Sequence, residues 1–493
     1  MALCLVVLWG HGAVLSAAAG PGSVPVEAVF DAIAAEQGGA CPAQAGLITD
    51  NQEAWYARWF LVNGATRSID CSYFDTSDDI FAVSFLGLLL KKAREGVSIR
   101  LMLDFRGAAL LLRSPLGQQY LRDLAGAGKV QVRIYNPLFK SILRLFGDPR
   151  GVIAANHDKL LIVDREWLFT GGRNLTHDYL CSLQDDPEAI HDKDLLLRGG
   201  EIATSATRAF EAEFSRRSVW KLRPGLLDFW SERTEDLELM RRAMDDHMRG
   251  IPPARNPEPG SLSRAVLREL SIYKHLTGYG AYAPLLGAGT HPAVVLRKQA
   301  RHKTPSNEIT GGLARLMGAA REEILLESPY VVLTAAGRRM LRQAGERGVR
   351  IILVTTSPET GDSILPQIPL IYEWKQLLKE IPNLRIFATR GRNLLHSKVF
   401  VIDRAVAVVG SYNLDTLSEQ VNCEEVVVTR SGDLARQVAS SIEDDRARSL
   451  EYKVRTLPDG TVVEVQGPKD LISPAVWKRL PLMRWITWLR PIL

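Results

Sequence analysis

Short runs of apolar, β-branched-rich residues recur along this chain, separated by longer stretches with helical spacing. Leu160-Leu161-Ile162-Val163 and Val399-Phe400-Val401-Ile402 are too short for helices and read as buried strands. Each is followed by a second strand, at 167–170 and at 405–409. Upstream of the first pair, a strand at 65–76 leads into a helix ending near Arg94, then Gly96 and a strand at 97–104. Upstream of the second, a strand within 320–332 leads into a helix to Gly345, then Gly348 and a strand at 349–355. In both places a glycine ends the helix and an apolar strand starts at once, at Glu95-Gly96-Val97 and Glu346-Arg347-Gly348-Val349. Strand and helix alternating at this spacing predict an α/β fold with a sheet in each of two similar halves.

The likeness of the halves extends to polar positions. One copy reads His157, Lys159, Asp164, Gly171-Gly172, Asn174; the other reads His396, Lys398, Asp403, Gly410-Ser411, Asn413. The spacing H-x-K-x4-D-x6-G-[GS]-x-N is the same in both, and the copies start 396 − 157 = 239 residues apart. Such a match is an internal repeat. Positions i and i+2 of a strand share a face, so each His points the same way as its Lys. Asp164 and Asp403 fall at the turn between the two strands, where they tie down local backbone or Lys. Asn174 and Asn413 follow the second strand.

Two such sets facing each other make one site with two imidazoles, two ammonium groups and two amides. Cations and donors that outnumber acids suit a phosphodiester, whose charge spreads over its oxygens during transfer. The lysines supply the positive charge, so this chemistry calls for no metal and no organic cofactor. In-line displacement needs a nucleophile on one side of phosphorus and a general acid on the other, and two histidines supply both.

These motifs resemble those of the phospholipase D superfamily. The flanks Tyr135-Asn136-Pro137, 171–180, 191–199, 327–332 and 410–424 resemble its bacterial cardiolipin synthase branch, the C-type enzymes in particular. The resemblance covers most of the chain from about residue 55. It implies two similar halves, each a mixed sheet flanked by helices, related by a pseudo-twofold, with one active site in the seam. It also implies catalytic roles for His157, Lys159, Asp164, His396, Lys398 and Asp403, and phosphate contacts from Asn174 and Asn413. An acid after each motif would orient a histidine through its far nitrogen. Asp194 (or Asp192) and Glu424 (or Glu425) are the candidates. One departure stands out. Asp415-Thr416-Leu417-Ser418 replaces the Asp-Pro-Arg-Ser common in the family, which removes a possible basic contact and leaves headgroup choice open.

The implied activity is transfer of a phosphatidyl group to phosphatidylglycerol through a phosphohistidine, with phosphatidylethanolamine as a second possible substrate. His157 is assigned the attack and His396 the proton transfers, although so symmetric a repeat leaves the reverse order open. A hydrolytic phospholipase D, a nuclease of the same superfamily and a non-catalytic lipid-binding protein are the alternatives. A net charge of +5 is slight for a nucleic-acid partner, and both motifs keep every reactive residue.

The remaining chain divides at a breaker-rich stretch, 250–260. We expect an apolar leader at 1–50, a first half at 51–249, a linker and cleft-edge region at 250–303, a second half at 304–449 and a tail at 450–493. The apolar run 2–19 ends in small residues like an export signal but lacks a basic start. The charged stretch 232–249 reads as a solvated helix face, and the basic run 291–303 as a candidate lining of the cleft entrance or contact for lipid phosphates. Trp, Leu and Ile beside Lys and Arg in the tail suit a membrane-interfacial segment; with the resemblance, the expected location is the bacterial cell membrane, on its periplasmic side if the run 2–19 acts as an export signal. The five cysteines show no metal-ligand spacing and read as free thiols.

Overall fold

The expected alternation builds a single continuous sheet in the computed structural model, which describes residues 24–137, 150–216, 219–222, 233–253, 257–300, 307–360, 364–459 and 461–487. The run 2–19 and residues 301–303 and 488–493 lie outside the described residues. The first half contributes β1 (Cys41–Ile48), β2 (Ser68–Tyr73), β3 (Ser98–Asp104), β4 (Val130–Tyr135), β5 (Leu160–Val163), β6 (Trp167–Gly171), β7 (Asp194–Arg198) and β8 (Trp220–Lys221). The second contributes β9 (His291–Lys298), β10 (Glu323–Glu327), β11 (Arg350–Thr355), β12 (Leu384–Thr389), β13 (Val399–Ile402), β14 (Val406–Gly410), β15 (Glu424–Arg430) and β16 (Ser449–Glu451).

From the middle outward, the order β1-β7-β6-β5-β2-β3-β4-β8 mirrors β9-β15-β14-β13-β10-β11-β12-β16. In each half the three strands linked by helical crossovers are parallel and the rest antiparallel, so both sheets are mixed. The halves join edge to edge where β1 pairs with β9. That ladder is three residue pairs long and sets Pro42 opposite Pro292, neither of which has an N–H to donate. Backbone bonding there is weak, so packing holds the halves together. One core cluster unites Leu160, Ile162 and Leu197 of the first half with Val401, Ala407 and Val427 of the second, beneath the helices Gly200–Phe214 and Gly432–Ala447. Each such side chain contributes roughly 1.5–3 kcal/mol on burial, far more than three ladder pairs.

Two segments that sequence places outside the halves belong inside them. The expected leader 1–50 carries β1, and the expected linker 250–303 carries β9, each an integral strand of the sheet. The element preceding each strand crosses to the opposite half. The helix Val26–Glu36 buries Phe30 and Ile33 against Leu296 and Leu313, and Asp31 pairs with Arg430 at 2.6 Å. In return, the helix Leu262–Leu270 and the turn Tyr279–Ala281 pack on the first half, where the Tyr56 hydroxyl donates to the Thr277 carbonyl at 2.6 Å. The basic run 291–303 is therefore a sheet strand over its described part, with Lys298 buried. The sequence hides this because each arm reaches partners far along the chain, Leu296 for Phe30 and Tyr56 for Thr277.

The charged helix Thr234–Met248 keeps its acids and arginines outward but buries Leu237, Met240, Met244 and Met248 at three- and four-residue spacing. It lies across the helix Ile80–Arg94 at Gly87, where a Cβ would stand 2.2 Å from the Leu237 carbonyl oxygen. No helix among the described residues is long and apolar enough to cross a membrane. In the tail, the helix Pro474–Met483 seats Leu480, with Ile486 beyond it, against Ile368 and Ile371, while Leu482 (78% exposed) and Trp485 (61%) face out. Cys71, Cys181 and Cys423 are buried and Cys41 is half-buried, all as free thiols.

Candidate active site

Each repeat copy is a β-hairpin, β5–β6 or β13–β14, with its histidine just before the first strand and its aspartate in the turn. The turn residues Asp164 and Arg165 have φ of 55° and 54°, and Asp403 and Arg404 have 50° and 49°. Consecutive left-handed residues match the twist of a two-stranded hairpin, and Asp tolerates that region better than most side chains. The Asp164 carboxylate accepts the backbone N–H groups of Thr66, Arg67 and Ser68, and Asp403 accepts those of Arg321, Glu322 and Glu323. Each aspartate thus pins its hairpin to the start of the neighbouring strand, about seven residues and ~20 Å from the histidine. Each bonds to backbone and stands at the far end of its hairpin from the histidines, away from the position its implied catalytic role expects. Asp164→Ala or Asp403→Ala should lower stability by about 1–2 kcal/mol, read as a melting shift, with turnover per folded molecule little changed.

At the other end of the hairpins the two histidines converge, and each is completed by the opposite half. His157 Nδ1 lies 3.1 Å from Glu424 Oε2, and His396 Nδ1 lies 2.8 Å from Asp192 Oδ2. Backbone bridges enforce the crossing: the His157 N–H donates to the Cys423 carbonyl at 3.0 Å and the His396 N–H to the His191 carbonyl at 2.8 Å. Each acid thus follows directly on the residue that docks the other half's histidine. Lys193 crosses the same seam, buried between Glu327 and Asp445, with Nζ 2.7 Å from Asp445 Oδ2.

The lysines share the histidines' face, as strand alternation predicts. Lys159 Nζ donates to the His157 carbonyl at 2.8 Å; Lys398 Nζ lies 2.7 Å from His396 Nδ1 and 3.0 Å from Nε2. All four side chains are buried. Burial, and then the neighbouring charge of Lys398, push Lys159 down to about 7. The same two causes hold His396 near 4. Burial lowers His157 as well, against the pull of Glu424. For Asp192, burial raises the carboxyl, but Lys398 and His396 outweigh it and leave it well below the ordinary range; Glu424 is likewise held down by His157 and Lys159. Two ammonium groups that repel each other, beside two imidazoles, are a set of charges and donors that suits an anion.

The small pair in the motif makes room for the acids. A Cβ on Gly172 would stand 2.1 Å from Asp192 Oδ1, and one on Gly171 2.2 Å from Asp194 Oδ1. In the second copy Ser411 takes the place of Gly172, and its hydroxyl, with that of Ser418 at 2.7 Å, holds Glu424. Ser418 therefore keeps a role despite the altered run that contains it. Gly172→Ala should displace Asp192 and cost roughly a hundredfold in kcat, with circular dichroism unchanged.

Asp194, the first-named candidate for orienting a histidine, does something else. It is buried between Arg58 and Arg173, 3.2 Å from each guanidinium, under the motif backbone. Its neighbour Asp192 takes the histidine instead. A sequence signal for this exists: Arg198-Gly199-Gly200 and Arg430-Ser431-Gly432 follow the two acids, and stepping back six from each arginine gives Asp192 and Glu424. Glu424 Oε2 lies against Nδ1 of His157, the histidine of the other copy, and Glu425 beside it is buried. Asn174 Oδ1 accepts the Asp75 N–H at 3.1 Å, and buried Asn413 Oδ1 has no hydrogen-bond partner among the described residues. Unforeseen neighbours are Tyr179, whose hydroxyl lies 3.3 Å from His396 Nδ1, and Phe74, whose ring stands 5.0 Å from that of His157. Both were hidden because their partners come from distant chain.

Comparison with known proteins agrees with this geometry. The family described as "Cardiolipin synthase, PLD-like domain" matches residues 61–214 and 313–446. The chain is 26% identical over 425 residues to cardiolipin synthase C of Escherichia coli strain K12, covering 80% of this chain and 84% of that protein. It is 22% identical over 430 residues to cardiolipin synthase 1 of Bacillus anthracis, covering 87% and 72%. Among solved structures, the phosphatidylserine synthase of Haemophilus influenzae Rd KW20 superposes with a TM-score of 0.61 at 12% identity, over 95% of this chain and all of that one, a likeness of fold.

Proposed function

The chain belongs to the phospholipase D-like family whose matching segments hold both motifs, and on that premise we propose that it transfers a phosphatidyl group to phosphatidylglycerol, as a cardiolipin synthase does. Its relatives' names support an enzyme of the phospholipid phosphodiesterase or transferase kind. The observation that carries the reading is the crossing of the acids: each histidine is completed by the opposite half, which draws both rings into one anion-binding cluster.

In the proposed reaction, His157 Nε2 attacks phosphorus while the bond to the leaving headgroup oxygen breaks, and His396 gives that oxygen a proton. His396 then takes a proton from an incoming alcohol, whose oxygen displaces His157. Lys159 and Lys398 hold the non-bridging oxygens, and Asn174 and Asn413 flank them. Among the described residues, His157 Nε2 has no hydrogen-bond partner, which suits a nucleophile. His396 has Tyr179 and Lys398 against its ring, which suits proton traffic. Burial and Lys398 hold His396 near 4, and the negative charge of a phosphodiester beside Lys398 would raise it toward a ring that carries the proton.

A phospholipid substrate also fits the tail, where exposed Leu482 and Trp485 stand beside Arg484 in the manner of an interfacial segment. The test is purified protein on vesicles of phosphatidylglycerol, with and without phosphatidylethanolamine, products read by mass spectrometry. Cardiolipin supports the reading. Phosphatidic acid alone makes the protein a hydrolase, cleaved DNA a nuclease, and lipid binding with no product a non-catalytic binder.

A further inference from the structure

The pseudo-twofold makes each half a control for the other, and one location differs sharply. The helix Asn51–Gly64 corresponds to Glu308–Ala319. The closing N–H of Ala65 bonds to Val62, and that of Ala320 to Met317, so the offset is 320 − 65 = 255. The helix Ile80–Arg94 corresponds to Ala335–Glu346. There the Val97 N–H bonds to Lys92 and the Val349 N–H to Ala344, so the offset is 349 − 97 = 252. Carried across, Trp55 falls on Thr310, Trp59 on Ala314 and Phe85 on Gly337. In the first half those three aromatic rings are fully buried against one another, with Trp55 5.4 Å from Trp59 and 6.4 Å from Phe85. In the second half a hydroxyl, a methyl and a hydrogen stand in their places.

The volume so vacated is a surface groove of about 100 Å³ whose apolar wall is Ala314, Met317, Gly337, Met340 and Leu414, with Ala314 exposed at its mouth. Its polar edge is Thr310, Thr334, Tyr412, Asp415 and Glu419, and there the Thr310 and Tyr412 hydroxyls lie 2.8 Å apart, bonded to each other. One wall is the backbone that carries the second motif: Tyr412 and Leu414 flank Asn413, and the Leu414 carbonyl accepts the Val332 N–H at 2.7 Å. An apolar groove that shares a wall with the catalytic loop, in one half only, breaks the symmetry of an otherwise two-fold site.

We propose that this groove receives part of one acyl chain of the phospholipid whose phosphate sits between His157 and His396, so that the second half grips a lipid tail while the first, plugged by Trp55, Trp59 and Phe85, does not. The inference rests on the reading that the substrate is a phospholipid and adds where, and on which half, its tail is held. The long, unbranched side chains of Met317 and Met340 adapt to a flexible hydrocarbon. A Cβ on Gly337 would meet only Thr334 and Leu333, at 3.6 and 3.9 Å, so a side chain can start there without backbone strain.

The test copies the first half's plug into the second. Ala314→Trp and Gly337→Phe are compared with the unaltered protein on oleoyl and hexanoyl phosphatidylglycerol in one detergent. The ratio of long-chain to short-chain kcat/KM should fall at least about tenfold, the worth of roughly two buried methylenes. An unchanged ratio in folded variants overturns the proposal. A second measurement needs no variant: phosphatidylglycerol with a diazirine at mid-chain is photolysed on the intact protein and the adducts are mapped. Labelling within 310–341 supports the proposal; labelling confined to other segments overturns it. Should the protein turn over no phospholipid yet label there, the functional reading fails while the groove's ligand class stands.

Discussion

His157→Asn and His396→Asn should each lower turnover by roughly three to six orders of magnitude, and in the proposed reaction only one of them abolishes a covalent phosphoenzyme. The size follows from the role: removing a nucleophile or the general acid of a two-step displacement strips away the group that makes or breaks the bond, and partners in such a unit do not compensate for each other. The asymmetry follows from the surroundings of the two rings. His157 touches one carboxylate and has an unengaged Nε2, whereas His396 is enclosed by Asp192, Lys398 and Tyr179. Rapid acid quench of turnover on phosphatidylglycerol, followed by peptide mass spectrometry, should place the phosphoryl adduct on His157. It should persist in His396→Asn, which forms the adduct slowly and lacks the base to release it. An adduct on His396 instead would exchange the two roles and leave the double displacement standing.

The second large effect concerns the crossed acids. Asp192→Asn should cost roughly 10²–10⁴ in kcat, because an amide cannot stabilise the imidazolium of His396 or fix its tautomer. It should also destabilise the fold by about 3–5 kcal/mol at neutral pH, since a buried Lys398 ammonium loses its counter-ion. The sign of the pH dependence is fixed by the direction of the shift. Asp192 lies below its unfolded value of about 3.9, so its contribution is fully present above that pH and is lost as pH falls through the lower, folded value. The stability gap between the protein and its Asp192→Asn variant should therefore be wide at pH 7 and narrow below about pH 4. His396 works separately: held near 4 by burial and Lys398, it takes up a proton on unfolding, so both proteins lose stability as pH falls from about 6.5 toward 4. Denaturant melts from pH 7 to pH 3 check both slopes. Glu424→Gln should repeat the kinetic loss through His157, and equal effects from acids on opposite halves would show that the crossing operates in solution.

The pH series bears on the lysines as well. Burial and the charge of Lys398 press Lys159 down to about 7, so its ammonium form is disfavoured beside its neighbour. A phosphodiester placed between the two lysines removes that penalty, so the binding energy of the anion goes partly into restoring a full charge where charge develops in the transition state.

Whatever depends on neighbours along the chain was legible in the residues. Period-two alternation set His and Lys on one face, four-residue apolar runs made the hairpin strands, and a small pair at fixed spacing left room for a carboxylate. Those signals are local, and two copies of them made the α/β halves and the reacting residues legible. The tertiary structure alone decided which acid serves which histidine, that Asp164 and Asp403 stand away from the chemistry, that Asp194 belongs to Arg58 and Arg173, and that the arms before β1 and β9 change sides. Each of those is a contact between residues far apart in sequence, chosen by how two sheets close over a shared core, and no periodicity along the chain encodes it. The same holds for the apolar groove: Ala314 and Gly337 are unremarked helix residues until the pseudo-twofold lays Trp59 and Phe85 over them.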